Sequence, residues 1–211
     1  MCPILYVILF VTRIRERDKS IMKIYLLDKN YGTTLKWKQY FSGNSDVEVI
    51  NMRFEQFLDM HDVECIVSPA NAYGLMDGGY DRAISEYFGW ELSEKVQEKI
   101  LNEWFGEQLV GTSIIVDIPR TDKKLIHTPT MRAPSYIKDP MIVYYCMRAT
   151  LMCAIKNNVN SIVIPAFGGS CGGLSSDVVA YMMKEAYDQV MNPPKEINWD
   201  YAERAKLEDI E

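Results

Sequence analysis

Short apolar runs alternate with helix-patterned segments along most of the chain, and this alternation limits the possible folds more than any other feature. The strand-like runs cover residues 22–28, 47–52, 63–67, 111–118, 124–127 and 161–165. Helical periodicity covers residues 54–60, 80–105, 141–157 and 175–191. Strands that alternate with helices predict an α/β fold, with a mostly parallel sheet and helices on both faces. Ligands of such sheets bind beyond the carboxyl ends of the strands.

The chain divides into three parts. Residues 1–21 form an apolar and basic N-terminal extension, 22–191 the compact domain, and 192–211 a polar, acidic C-terminal tail. The apolar run of the extension is ten residues long, against the roughly 20 that a membrane-spanning helix needs. Its β-branched residues favour a strand or an appended arm, and a membrane-seeking or interaction segment is the alternative. Within the domain, Gly89 is expected to break or bend the long helical pattern.

Charge and cysteine content exclude several classes of protein. The 211 residues include 23 basic and 29 acidic ones, a net charge of −6. Non-specific nucleic-acid binding needs clustered positive charge, so no nucleic-acid partner is expected. No membrane partner is expected either. The five cysteines include no CxxC pair, which argues against a zinc site or a disulfide framework. We expect reduced thiols and a cytoplasmic protein, and the oligomeric state stays open.

A glycine-rich loop follows the strand-like run at 161–165. Four glycines lie between Gly168 and Gly173, just before the helix that starts near Ser175. Such a loop allows close backbone approach, and a helix start offers free N–H groups, so the pair predicts a phosphate or diphosphate site; a tight turn is the alternative. The stretch also fits GxSxG, but no histidine follows Ser170 to act as the base of a hydrolase triad.

A second loop follows the strand-like run at 63–67. Asn71 ends this strand, and its amide can donate to and accept from a sugar diol. Gly78 and Gly79 permit another close backbone approach. Asp81 falls in the first turn of the next helix, where a carboxylate either caps the helix or orients a water molecule beside a bound sugar.

These motifs resemble those of the macro domain family. SPAN…GGYDRAI is similar to the family's NAAN…GGGVDGAI, SIVIPAFGGSCGG to its second strand-and-loop signature, and LIHT to its strand ending in IHT. The likeness covers residues 22–190. It implies a three-layer α/β/α sandwich with a mostly parallel mixed sheet, which binds ADP-ribose or an ADP-ribosylated small molecule or protein. It implies no cofactor and no metal.

The resemblance also assigns roles by position. It implies catalytic roles for Asn71, at the distal ribose, and Asp81, at a water beside C1″ of that ribose. It implies a ligand-binding role for Asn51, Met52, Ala70, Gly78, Gly79, Tyr80, Phe167, Gly168, Gly169, Ser170, Cys171, Gly172 and Gly173. Beyond the resemblance, Arg132 lies in a loop from which it could reach a terminal phosphate, and an ordinary exposed arginine is the alternative; His127 is expected to be structural.

The chain departs from the family pattern at two points. Asn51-Met52 stands where many members have an Asp-Ile pair that reads adenine, and Asp77 replaces the first glycine of the GGG run. The aromatic side chain that stacks on adenine is not assigned, and the candidates are Phe167, Tyr187, Trp199 and Tyr201.

The resemblance leaves two functions open. The first is hydrolysis at the distal ribose of an ADP-ribose derivative: ADP-ribose-1″-phosphate, mono-ADP-ribosylated protein or O-acetyl-ADP-ribose. The second is recognition of ADP-ribose without turnover, by a reader module.

Overall fold

The computed structural model describes residues 22–204, which form six strands and seven helices. The predicted N-terminal extension (1–21) and the end of the predicted acidic tail (205–211) lie outside the described residues. The strands are β1 (Lys23–Leu27), β2 (Val47–Ile50), β3 (Cys65–Ser68), β4 (Ile114–Asp117), β5 (Lys124–His127) and β6 (Ser161–Pro165). The helices are α1 (Tyr31–Tyr40), α2 (Phe54–Met60), α3 (Gly79–Phe88), α4 (Glu91–Trp104), α5 (Met141–Lys156), α6 (Ser176–Met191) and α7 (Trp199–Arg204).

The six strands form one sheet in the order β2-β1-β6-β3-β5-β4. Every pairing is parallel except β4 with β5. The exception follows from the connection between those two strands, because residues 118–123 are too few for the crossover that parallel strands need. The structure confirms the predicted α/β sandwich with a mostly parallel mixed sheet.

Two hydrophobic clusters cover the two faces of the sheet. One includes Trp37 of α1, Met147 of α5 and Met183 of α6, and the other includes Phe57 of α2 and residues of α3 and α4. The side chains of β1 alternate between them: Ile24 and Leu26 face the first cluster, and Leu27 the second. Strands buried on both faces read as continuous apolar runs, as these do in the sequence.

Gly89 divides the long helical pattern into α3 and α4, as predicted. Its φ of +99° is a conformation that residues with a Cβ rarely adopt. The break lets α3 start at the carboxyl edge of the sheet while α4 packs along it through Leu92 and Val96. Across the described residues, none of the helices combines the length and apolar character needed to cross a bilayer.

At the amino ends of the strands, a partly buried hydrogen bond joins α6 to the sheet. Tyr187 of α6 is 3% exposed, and its hydroxyl lies 2.7 Å from both Asp46 carboxylate oxygens, just before β2. Replacing Tyr187 with Phe leaves the carboxylate without its donor, so the free energy of unfolding is expected to fall by about 2 kcal/mol. Urea unfolding measures this, with the exposed Tyr145→Phe as the control. Equal losses in the two variants would contradict the assignment.

Candidate active site

The two glycine-bearing loops start from neighbouring strands. β3 and β6 pair in parallel, with Cys65 opposite Ile162 and Ile66 opposite Val163. Loop A (69–78, after β3) and loop B (166–175, after β6) therefore leave the same edge of the sheet side by side. The paired ends of β1 and β2 lie on the other side of β6, and they bring Asn51 and Met52 to this edge.

Loop B is a compact turn that requires glycine at several positions. Gly168 and Gly173 have φ of +75° and +72°. A Cβ on Gly172 would lie 2.5 Å from the Gly168 carbonyl oxygen, far inside van der Waals contact. The Gly173 and Leu174 N–H groups close the turn by donating to the carbonyls of Ser170 and Gly168.

Loop B also presents unused backbone donors. Within residues 22–204, the N–H groups of residues 169–172 donate to no protein acceptor. The helix that follows, α6, starts beside them and is capped by Ser175. Unused N–H groups next to a helix N-terminus are a favourable environment for an anion such as a diphosphate.

The Asn71 side chain forms hydrogen bonds with the backbone of loop A. Its Oδ1 accepts from the N–H groups of Tyr73 (3.1 Å) and Leu75 (3.3 Å), and its Nδ2 donates to the Leu75 carbonyl (2.8 Å). The amide predicted to bind a ribose is therefore largely engaged within its own loop. Gly78 and Gly79 are exposed, and nothing lies within 4 Å of the position of a Cβ on either.

Asp81 lies in the first turn of α3, directly over the end of β3. The Ser68 hydroxyl donates to Asp81 Oδ1 over 2.7 Å, and Ser68 Oγ lies 3.3 Å from Nδ1 of His127. Ser68 and His127 are opposite each other in the pairing of β3 with β5, so their side chains project to the same face. The sequence analysis did not predict the contact between Ser68 and His127. The signal that could have indicated it is that each of these polar residues ends a strand-like run.

Burial shifts the pKa values of Asp81 and His127 in opposite directions. It raises the pKa of Asp81 to about 7, although the hydrogen bond from Ser68 opposes the shift. It lowers the pKa of His127, whose side chain is fully buried, to about 4, and the backbone of Asn71 opposes that shift. At neutral pH the imidazole is therefore uncharged, and the carboxyl group exchanges its proton in the range where a general base is effective.

Asp28, at the end of β1, is a residue that the sequence interpretation missed. The Asn51 amide donates to the backbone carbonyl of Asp28 over 2.9 Å, and burial raises the pKa of the Asp28 carboxyl.

The buried Tyr80 hydroxyl has no hydrogen-bond partner among the described residues. Burial raises the pKa of Tyr80, and the charges of Asp81 and Asp28 raise it further. Asp28 thus places a carboxyl at the edge where Asn51 lacks one.

Arg132 is held by an ion pair. Its guanidinium donates to both carboxylate oxygens of Glu107, over 2.6 and 2.9 Å, and this pairing lowers the pKa of Glu107. The Tyr73 hydroxyl donates to the same carboxylate over 3.3 Å. Glu107 uses two of the five guanidinium N–H groups, and its negative charge offsets the positive charge that the predicted phosphate contact would use.

The four aromatic candidates for adenine stacking lie away from the open part of the site. Phe167 is fully buried in the core, and Tyr187 is bonded to Asp46 at the amino ends of the strands. Tyr201 accepts from Gln189 near the far end of α6, and Trp199 precedes it in the short α7. The structure places a different ring, the 82% exposed Tyr136, against Gly173 of loop B.

In the part of the chain that the structure describes, no three His, Cys, Asp or Glu side chains group as metal ligands. Cys65 and Cys146 are buried, and burial raises the pKa of both thiols, whereas Cys171 is exposed on loop B.

Asp81 and His127 should affect stability in opposite directions as pH changes. The folded Asp81 binds its proton more tightly than the unfolded chain, so its contribution is lost as pH rises from about 4 to about 7. The folded His127 binds its proton more weakly, so stability is gained from about pH 4 to 6.5. As pH rises from 4 to 7, the free energy of unfolding of Asp81→Asn should therefore rise relative to that of wild type, and that of His127→Asn should fall relative to that of wild type. Each relative change should be on the order of 3 kcal/mol. Urea unfolding from pH 4 to 7 measures both slopes, and parallel curves for the two variants would refute the opposed titrations.

Relatives of the chain agree with this architecture. A family model described as "Macro domain" matches residues 67–183. An uncharacterized protein of Aquifex aeolicus is 32% identical over 125 residues, which are 59% of this chain and 72% of that protein.

Solved structures agree as well. The Oceanobacillus iheyensis macrodomain with ADP superposes with a TM-score of 0.54 at 25% identity, over 62% of this chain and 71% of that one. A point mutant of that macrodomain, with ADPR, superposes with a TM-score of 0.56 at 24% identity, over 64% and 75% of the two chains. The chain belongs to the macro domain family, an ADP-ribose-binding family.

Proposed function

We propose that this protein hydrolyses a bond at the distal ribose of an ADP-ribose derivative, with Asp81 as the general base. The observation that carries the proposal is the half-buried Asp81 carboxyl, which accepts from Ser68 over 2.7 Å and whose pKa of about 7 suits a group that takes a proton from water near neutral pH. The substrates proposed are ADP-ribose-1″-phosphate, mono-ADP-ribosylated protein and O-acetyl-ADP-ribose.

The reaction uses groups from both loops. The unused N–H groups of residues 169–172 hold the diphosphate, and the open space at Gly78 and Gly79 admits the ribose. Asp81 accepts a proton from water as the water oxygen bonds to C1″. The bond from C1″ to the leaving oxygen breaks with its electron pair on that oxygen, which then takes a proton. Holding the ribose and the water in line contributes to the rate by orientation.

Recognition without turnover is the second candidate. The Asn71 amide is largely engaged within loop A, and the charge of Arg132 is paired with Glu107, so both offer a substrate less than their side chains could. A reader module needs only the loop N–H groups and the open space beside them.

Substitution of Asp81 separates the two functions. Asp81→Asn keeps the shape and removes the base, so kcat should fall by about 10²–10⁴-fold while ADP-ribose affinity is retained. Product release from the three substrates and calorimetric titration of ADP-ribose measure the two quantities. Glu86→Gln removes an exposed carboxylate from the same helix and should have no effect. Binding without turnover by wild type supports the reader, and absence of binding overturns both candidates.

Loop B can be tested independently. Gly172→Ala forces a Cβ against the Gly168 carbonyl, which displaces the N–H groups that hold the diphosphate. ADP-ribose affinity should fall about tenfold or more, or at least ~1.4 kcal/mol. Gly43→Ala, in a turn where nothing lies within 4 Å of the added Cβ, is the matched control. Unchanged affinity of Gly172→Ala in calorimetry would remove loop B from the binding site.

A further inference from the structure

Two buried residues that end neighbouring strands lie next to Asp81. Ser68 ends β3 and His127 ends β5, and neither side chain is exposed. A single chain of contacts joins Asp81 Oδ1, Ser68 Oγ (2.7 Å away) and His127 Nδ1 (3.3 Å beyond). The sequence interpretation had treated His127 as structural, and the contact chain gives it a connection to the base.

The number of protons on Ser68 and His127 determines which of these groups donates each hydrogen bond in the contact chain. When Asp81 is ionised, as a base must be before it reacts, the single proton of the Ser68 hydroxyl is donated to its carboxylate over 2.7 Å. Ser68 Oγ is then an acceptor toward His127, which must carry its proton on Nδ1. The neutral imidazole has one N–H, so this contact selects the Nδ1–H tautomer.

We propose that Ser68 and His127 are positioning residues for Asp81: His127 Nδ1–H orients the Ser68 hydroxyl, which donates to Oδ1 and leaves the second carboxylate oxygen to accept the proton of water. The inference rests on the proposed role of Asp81 as the base. The donated hydrogen bond favours the ionised carboxyl, and it also fixes the rotation of the carboxylate above the end of β3.

A charged group near Asp81 acts in the opposite sense. Asp77, at the end of loop A, raises the pKa of Asp81 by its charge. Tyr80, the neighbour of Asp81 on α3, is also subject to the charges of Asp28 at the end of β1 and Glu55 on α2. Of these groups, Asp77 is the one whose charge opposes ionisation of Asp81, whereas Asp28 and Glu55 act on Tyr80. Among the interactions that determine the pKa of Asp81, the Ser68 hydroxyl is the side-chain donor that opposes the effect of Asp77.

Three substitutions test the contact chain. Ser68→Ala removes the donor, so the acidic limb of the kcat profile should move up by about one pH unit and kcat at pH 6 should fall about tenfold. His127→Asn places an amide N–H near the Nδ1 position and should retain most of the wild-type profile. His127→Gln places its amide near the Nε2 position instead, and should shift the limb as Ser68→Ala does.

A buried hydroxyl outside the contact chain provides the control. Thr150→Val removes a hydroxyl that contacts Thr128, the residue after His127, and should leave the profile unchanged. ADP-ribose affinity should change less than twofold in all four variants. The double variant of Ser68→Ala with His127→Gln should be no worse than either single one, because both act through one hydrogen bond.

The pKa of Asp81 gives a second readout that does not need turnover. Carbon-13 NMR of its carboxyl should show a higher pKa in Ser68→Ala and His127→Gln than in wild type and His127→Asn. An unchanged pKa in the first two overturns the inference, as does a shift of equal size in His127→Asn and His127→Gln. If wild type hydrolyses none of the substrates, the proposed function falls and the same titration decides the contact chain.

Discussion

Strand β3 lies between β6 and β5 and pairs in parallel with both, and the positions of loops A and B and of the groups around Asp81 follow from that arrangement. The pairing with β6 brings loops A and B out of the sheet as neighbours. The pairing with β5 sets Ser68 opposite His127, and the helix that returns from loop A places Asp81 on the same serine. A shift of this register by one residue would turn these side chains to the other face and separate them.

The same pairing buries ionisable groups that a stable core would otherwise exclude. An aspartate and a histidine are withdrawn from water within two contacts of each other, and each is held toward its uncharged form. Their arrangement through a shared hydroxyl gives each a polar neighbour, which reduces the cost of burial. Loop B has a constraint of its own, because glycine alone fits at position 172 beside the Gly168 carbonyl. Both features sit at the edge where we propose that the ligand binds.

Much of the fold followed from pattern. Buried strands with apolar residues on both faces and helices with regular apolar spacing were recognisable one by one, and the split at Gly89 followed from its missing side chain. Motif order pointed to loops A and B and to Asp81. The sheet order was not predictable in the same way, because it depends on which strands pair across long stretches of chain.

Individual contacts were the least predictable part of the site. The bond of Asn71 to its own loop and the pairing of Arg132 with Glu107 arise from groups that meet only after folding. The same is true of Asp28 beside Asn51, since the two are 23 positions apart in the chain. The positions of the aromatic candidates also depend on folding, since Phe167 is buried in the core and Tyr187 is bonded to Asp46.

Tyr136 and Ile137 form the outer wall of loop B, where the Ile137 N–H donates to the Gly172 carbonyl and the Tyr136 ring covers Gly173. Both residues belong to the irregular connection between β5 and α5, and neither belongs to the strands that hold Asp81, Ser68 and His127. Connections of this kind tolerate insertion and replacement far better than paired strands do. Under the proposed function, the surface beside loop B that a ligand would meet and the groups around the proposed base therefore belong to different stretches of the polypeptide, so the first can vary in sequence while the second is retained.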